Sequence, residues 1–170
     1  MKKKLFLILF SSLFIYYSLS AQDAADYNKR GEHQFKLGNY EDVISEYTKA
    51  LELDSNYLNA ISKRGFCYSF NGRYEEAIAD FDRVLKQKPD YIQGYLSRGS
   101  AKNKLNRYSQ AMVDFNKVLS FDPNNTEALN NRGWAKKGLN DHEGACADWD
   151  ESKKLGNGEA KIILKNNSCK

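Results

Sequence analysis

The sequence predicts an all-α fold in which one pair of helices is repeated four times. Three observations support this prediction: Arg-Gly pairs recur at a constant spacing of 34 residues, apolar residues between them recur at helical spacing, and turn formers separate the apolar stretches. Tandem copies bury their apolar faces against one another, so function is expected on a repeated surface rather than in one pocket. The pairs are Arg30-Gly31, Arg64-Gly65, Arg98-Gly99 and Arg132-Gly133.

The first 21 residues are predicted to be a secretory signal peptide outside this fold. Residues 2–4 are lysines, residues 5–19 form an apolar stretch, and small residues such as Ala21 follow. An uncleaved membrane anchor is the alternative, but about 15 apolar residues fall short of the roughly 20 that a spanning helix needs. We therefore expect cleavage near residues 20–22, no membrane span in the mature chain, and an exported protein, either periplasmic or secreted.

The repeats follow one another without insertion, and each contains two helical stretches. The first stretch surrounds the Arg-Gly pair with small residues, which allow another helix to approach closely. A Gly or Asn then ends that stretch, because both residues tolerate the left-handed backbone conformation. The repeats are residues 24–57, 58–91, 92–125 and 126–159, and the breaks are Gly38, Gly72, Asn106 and Asn140.

The second stretch of each repeat carries a continuous apolar face with one recurring aromatic residue. Turn formers such as Pro89 and Pro123 close the repeats. The amphipathic stretch over residues 158–166 predicts a short helix that covers the last apolar edge, and we assign residues 160–170 to a C-terminal capping helix and tail. The second stretches begin near Tyr40, Tyr74, Tyr108 and His142, and their aromatics are Tyr47, Phe81, Phe115 and Trp149.

An acidic residue precedes each recurring aromatic and forms a second series with the arginines. One interpretation is a ladder of guanidinium groups that binds a ligand. The other is a set of Arg–carboxylate pairs that link helices, for which the planar guanidinium is well suited. We favour the second, because stacking contacts must repeat in every copy whereas ligand contacts need not. The acids are Glu46, Asp80, Asp114 and Asp148.

The three cysteines are expected to include one disulfide, because export places them in an oxidising compartment. Cys67 lies at a small-residue position inside a helix, where burial as a small apolar residue is expected. Cys146 lies in the last repeat and Cys169 in the tail just behind it. We therefore predict a Cys146–Cys169 disulfide.

Composition and motifs argue against several classes of function. Without the three lysines of the leader the formal charge falls from +4 to +1, which gives no indication of nucleic-acid binding. The only two histidines, His33 and His142, lie in different repeats, and no nucleophile motif or phosphate-binding loop accompanies them. The cysteines lack metal-ligand spacing. We predict no enzymatic activity, no cofactor, no metal and no nucleic-acid partner.

The pattern aromatic-x-x-Arg-Gly, Gly-x-Tyr, Ala-x-x-x-Phe and Pro at a period of 34 residues resembles the tetratricopeptide repeat, and the resemblance covers residues 24–159. It implies a right-handed superhelical solenoid of antiparallel helix pairs, with first helices lining a concave groove and second helices forming the convex back. The fourth repeat departs from the pattern at Asn140, Trp149 and Asn157. Terminal repeats of a capped solenoid are commonly atypical.

The resemblance also implies where a ligand lies, on a polar groove with three aromatic residues. Amide side chains both donate and accept hydrogen bonds, which matches an extended peptide, and aromatic residues are typical anchors. The alternative for Phe66 and Phe70 is packing between neighbouring repeats. The implied groove residues are Asn28, Lys29, Asn59, Lys63, Phe66, Phe70, Asn103, Lys104, Asn130, Asn131 and Trp134.

One specialised binding mode of the family is predicted to be absent. Chaperone-binding members clamp a C-terminal carboxylate with Lys and Asn at set positions. In this sequence, an acid and neutral groups stand where cations are needed. The residues at those positions are Asn28, Glu32, Lys63, Gln93 and Ser97.

The predicted function is therefore an exported interaction scaffold that holds a peptide or protein segment in the concave groove. A role of a different class stays open: a structural or assembly subunit of an envelope complex that uses its convex face or terminal helix. That second role would allow a homo-oligomer.

Overall fold

The computed structural model describes residues 23–169, and all regular secondary structure in this range is α-helical. The all-α prediction is confirmed, whereas the predicted signal peptide at residues 1–21 lies outside the described residues. No helix within residues 23–169 has the length and apolar character that crossing a bilayer requires. The helices are α1 (residues 23–37), α2 (Tyr40–Leu53), α3 (Leu58–Phe70), α4 (Tyr74–Gln87), α5 (Ile92–Lys104), α6 (Tyr108–Phe121), α7 (Thr126–Gly138), α8 (His142–Lys154) and α9 (Gly158–Asn166).

The predicted breaks between first and second helices lie in the left-handed region of backbone conformation. The φ angle is 77° at Gly38, 73° at Gly72, 58° at Asn106 and 65° at Asn140. Glycine has no Cβ to oppose this conformation, and Asn tolerates it better than most other residues. The chain therefore turns back after each first helix, and the second helices begin at the four predicted positions.

The chain divides into two compact units, with the boundary between Asn71 and Gly72. Within the described residues, the first compact unit contains α1 to α3 and the second contains α4 to α9. The boundary therefore falls at the break inside the predicted repeat 58–91.

In the first compact unit, α2 packs against α3, and α1 approaches α2 where the ring of Tyr47 lies against Gly31. Val43, Tyr47, Ile61 and Cys67 are fully buried in this unit. Their helical spacing in the sequence places them on the faces that the neighbouring helices cover.

In the second compact unit, each helix from α4 to α9 packs against the next, and α5 also contacts α7. Phe115 and Val118 of α6 lie in one apolar cluster with Leu96 of α5 and Ala128 of α7. Full burial of a Phe side chain contributes about 1.5–3 kcal/mol, so this cluster holds three successive helices together. The packing places α5 and α7 side by side, with their polar residues available for a binding surface.

Candidate functional site

The recurring arginines of α5 and α7 link helices, as the second interpretation of the series predicts. Arg98 donates to both carboxylate oxygens of Asp114, with N···O distances of 3.0 and 2.6 Å, and its third nitrogen lies 2.5 Å from Asp82 Oδ1. Asp114 is fully buried and also accepts from Lys102 at 2.8 Å. Arg98 therefore joins α5 to the second helix of its own repeat and to that of the preceding repeat.

Arg132 repeats this arrangement in the last helix pair. It donates to both oxygens of Asp148 at 2.9 and 2.7 Å and to Asn116 Oδ1 at 2.8 Å. Lys136 lies 2.9 Å from the same Asp148 carboxylate, in the position that Lys102 takes beside Asp114. The pair α7–α8 thus keeps the link despite its departures from the repeat pattern.

The first repeat does not form this link, which corrects the expectation that all four pairs are equivalent. Glu46 accepts from Lys49 at 2.7 Å, and its other carboxylate oxygen is buried without a hydrogen-bond partner. Arg30 instead lies over the ring of Tyr27, 5.2 Å from the centroid. Glu46 is one methylene longer than the aspartates of the later repeats, and it reaches the lysine one turn further along its own helix.

In the first compact unit, predicted groove residues of α1 and α3 meet in one hydrogen-bonded cluster. Asn59 donates to Asn28 Oδ1 at 3.1 Å and lies 3.4 Å from Glu32 Oε1, and Asn28 donates to the same oxygen at 3.3 Å. Lys29 is on the same helix but exposed, and its nearest acid is Asp26 at 3.9 Å. The cluster therefore contains Asn28 and Asn59 but leaves Lys29 in solvent.

Predicted aromatic and cationic groove residues of this unit lie beside two aromatic residues that were not predicted to be in the groove. Phe70 stacks on Tyr40 with ring centroids 5.1 Å apart and lies 6.5 Å from Phe35. Lys63 lies over the Phe35 ring at 5.6 Å. Phe70 thus packs against the first repeat, as the alternative interpretation expects, yet 61% of its surface stays exposed. Phe66 is half-buried.

Sequence signals for these two additional residues differ. Tyr40 belongs to a tyrosine series with a period of 34 residues, which indicated only where second helices begin. Phe35 has no aromatic counterpart in the other repeats, so periodicity cannot find it.

In the second compact unit, the amides of α5 and α7 are joined across the two helices. Asn103 donates to the backbone oxygen of Asn131 at 2.8 Å, and Asn131 donates to Ser100 Oγ at 3.2 Å. The side-chain oxygens of Asn103 and Asn130 are buried and accept no hydrogen bond. Lys104 is exposed and stands apart from this amide cluster.

Trp134 is the exposed aromatic residue of this surface. Its ring packs edge-on against Trp149 at 5.0 Å, yet 41% of Trp134 remains exposed. Trp149 is buried and donates its indole N–H to the backbone oxygen of Asn130 at 3.1 Å. The buried tryptophan thus positions both Trp134 and Asn130.

A cleft of about 900 Å³ lies between α7 and α9, and we call it the α7–α9 cleft. Asn125 caps α7 by accepting from Ala128 N at 2.9 Å, and Asn157 caps α9 by accepting from Glu159 N at 3.0 Å. The predicted cap α9 therefore also forms one wall of a binding-sized cleft. The lining residues are Glu127, Asn130, Asn131, Trp134, Gly156, Asn157, Gly158, Glu159, Ile162 and Ile163.

The cysteines are placed as the sequence predicts. Cys146 and Cys169 are joined by a disulfide with their Cα atoms 5.6 Å apart. Cys67 is a free, fully buried thiol. Burial raises the pKa of Cys67 to about 12, so this thiol stays protonated and unreactive at neutral pH.

Within residues 23–169, no group of His, Cys, Asp or Glu side chains is arranged to hold a metal ion. His33 and His142 are both exposed and lie on different helices. The chemistry that the described surfaces offer is therefore hydrogen bonding, ion pairing and aromatic contact, all of which are means of recognition.

Successive helix pairs linked by buried Arg–Asp contacts, with polar first-helix faces, define a helical-repeat protein. Family models of the tetratricopeptide repeat match residues 27–57, 59–91 and 92–125, together more than half of the 170 residues. The chain belongs to the tetratricopeptide repeat family. No curated protein matches it at a significant level.

Solved structures of this family have the same fold. MamA 41-end from Desulfovibrio magneticus RS-1 is similar with a TM-score of 0.77 and 18% identity, over 86% of each chain. The first TPR of Spaghetti (RPAP3), bound to the HSP90 peptide SRMEEVD, has a TM-score of 0.66 and 28% identity, over 71% of this chain and 95% of that one. A tetratricopeptide repeat protein from Parabacteroides merdae ATCC 43184 has a TM-score of 0.76 and 19% identity, over 85% of this chain and 59% of that one.

Proposed function

We propose that this chain is an interaction scaffold that holds an extended peptide or protein segment on the first-helix surfaces of its repeats, outside the cytoplasm. Two surfaces take part, one in each compact unit: that of α1 and α3, and that of α5 and α7. The helices are held by buried contacts, so the surfaces act by rigid display of many small contacts. No catalytic step is part of this proposal.

The exposed aromatic residues carry the proposal. Phe70 in the first compact unit and Trp134 in the second are 61% and 41% exposed, at positions that the family resemblance implies for the groove. Large aromatic residues that stay open to solvent beside amide side chains are typical anchors of a protein interface. The bound peptide of the Spaghetti structure supports the general binding mode.

The ligand that we propose differs from a C-terminal carboxylate. Glu32 occupies one of the clamp positions, and its carboxylate faces the amides of Asn28 and Asn59. An acid at this place disfavours a second carboxylate by charge repulsion. The partner is therefore not expected to dock through an acidic C-terminus.

Export and the number of repeats belong to the same proposal. The leader pattern of residues 1–21 supports export, and the Cys146–Cys169 pair suits an oxidising compartment. The Arg132–Asp148 link supports counting α7–α8 as a fourth repeat.

The test is selection of binding peptides from a random peptide library, followed by affinity measurements on Phe70→Ala and Trp134→Ala variants. Removal of an anchoring aromatic residue should weaken binding about tenfold or more. The matched control is Phe121→Ala, because Phe121 is 42% exposed but lies on the second helix α6.

A triple variant extends the test to the first-helix cations: Lys63→Glu, Lys104→Glu and Phe70→Ala together should abolish capture of the selected peptides. If this variant and Trp134→Ala both bind like Phe121→Ala, the first-helix surfaces are not the binding site. That result would favour the assembly role through the second helices.

A further inference from the structure

The charged residues that line the α7–α9 cleft are both acids. Glu127 lies in the first turn of α7 and Glu159 in the first turn of α9. The remaining polar lining residues are the neutral amides Asn130, Asn131 and Asn157. The cleft therefore presents two negative charges and no lysine, arginine or histidine among its lining residues.

Hydrogen-bond acceptors of the cleft lack donors. Asn130 is only 7% exposed, and its Oδ1 accepts no hydrogen bond within the described structure. The Glu127 and Glu159 side chains form neither an ion pair nor a hydrogen bond with any residue of 23–169. Burial of the Glu127 carboxyl raises its pKa, although part of the side chain stays open to solvent, and no neighbouring cation offsets the shift. A complementary ligand must therefore donate hydrogen bonds and carry positive charge.

The same cleft has an apolar wall beside these acceptors. Ile162 is 62% exposed and Trp134 is 41% exposed. Arginine and lysine bury their aliphatic stems on such surfaces while the charged end reaches polar groups, and a guanidinium also stacks on an indole ring. Lys137 of the protein itself lies 5.2 Å from the Trp134 centroid, but its ammonium group donates to the side chain of Asn167 and does not line the cleft.

We propose that the α7–α9 cleft binds an arginine or lysine side chain of the partner polypeptide, paired with Glu127 and Glu159 and hydrogen-bonded to Asn130. This rests on the function proposed above and specifies the chemistry of one position in the bound segment. The volume of about 900 Å³ exceeds that of one side chain, so the cleft also accepts the main chain on either side of the basic residue.

The experiment measures the affinity of the full chain for a tetra-arginine peptide with blocked ends by calorimetry, with a tetra-glutamine peptide as the neutral probe. The arginine peptide should bind about tenfold more tightly, and added salt should weaken its binding by screening. Glu127→Gln and Glu159→Gln should each weaken binding about fivefold, since each removes one charge pair. Glu143→Gln is the matched control, because Glu143 is an exposed acid in the first turn of α8 outside the cleft.

Equal affinities for the two peptides, or equal losses in Glu127→Gln and Glu143→Gln, would overturn the inference. Urea unfolding of each variant shows whether its fold is kept. Library peptides that depend on Trp134 but not on a basic residue would reject this inference and leave the proposed scaffold function intact. Absence of any binding peptide would reject both.

Discussion

At Gly133 the backbone of α7 lies directly against the indole ring of Trp149. A Cβ atom added there would be 2.3 Å from Trp149 Nε1, and the corresponding distances are 2.7 Å between Gly31 and Tyr47 and 2.7 Å between Gly99 and Phe115. The glycine of the Arg-Gly pair thus gives the aromatic residue of the second helix access to the first-helix backbone. The arginine beside it links the same two helices in the repeats of α5 and α7.

We expect Gly133→Ala to lower the free energy of unfolding by about 1–3 kcal/mol, because the added methyl group displaces a buried ring. Urea unfolding measures the loss. Gly158→Ala is the control: a Cβ at Gly158, the first residue of α9, meets no atom within 4 Å. Equal stability of the two variants would contradict the close-contact explanation.

Asp114 and Asp82 accept from the same arginine but differ in exposure, at 1% and 57% of their side chains. Asp114→Asn should cost about 3 kcal/mol of unfolding free energy, because it leaves Arg98 and Lys102 without their buried counter-charge. Asp82→Asn should cost less than about 1 kcal/mol, since its pair with Arg98 is open to solvent. Urea unfolding of the two variants compares these losses, and a larger loss in Asp82→Asn would show that burial does not decide the strength of the link.

At the scale of the elements, α9 differs from the other helices in how it is held. It has nine residues, and Ala160 is its one buried residue. Helices this short are not stable alone, so α9 depends on contacts outside itself. Such contacts lie at its C-terminal end, where Asn167 meets Lys137 and where the disulfide ties Cys169 to Cys146 on α8.

Cys169→Ser should therefore release α9 first. Closing a loop between residues separated by 23 positions is worth about 3 kcal/mol, which sets the expected upper limit of the loss. Hydrogen exchange should speed up in residues 158–166, while the amides of α5 and α6 in the same sample provide the internal control. Unchanged exchange in α9 would mean that its packing on α8 holds it without the disulfide.

Alkylation in denaturant without reductant checks the pairing itself. One label per chain is expected, on Cys67, because the other two cysteines are bonded to each other. Reduction before alkylation should give three labels. Three labels without reduction would reject the disulfide in the protein as isolated.

At the scale of the whole molecule, the proposed location depends on the leader at residues 1–21. We expect the protein isolated from its native cells to begin near residues 20–22, as determined by N-terminal sequencing. Leu9→Arg should block processing because it places a charge in the apolar stretch, whereas Leu9→Val should leave processing unchanged. A wild-type protein that retains Met1 would contradict export by a cleaved signal.

The sequence alone determined the features that depend on local and repeated chemistry. Left-handed breaks at Gly38 and Asn106 follow from the backbone freedom of those residues, and the helix starts follow from them. The Arg98–Asp114 link followed from the period, because contacts between stacked copies must recur at equal spacing.

Only the tertiary structure decided which polar groups find partners. Glu46 pairs with Lys49 instead of an arginine because one additional methylene changes its reach, and Phe35 joins Tyr40 and Phe70 without a periodic signal. The α7–α9 cleft exists because α9 folds back beside α7, which brings Glu159 near Glu127 across more than thirty residues of chain. Such contacts depend on side-chain reach and helix placement within a few ångströms, and periodicity in a sequence carries no information at that scale.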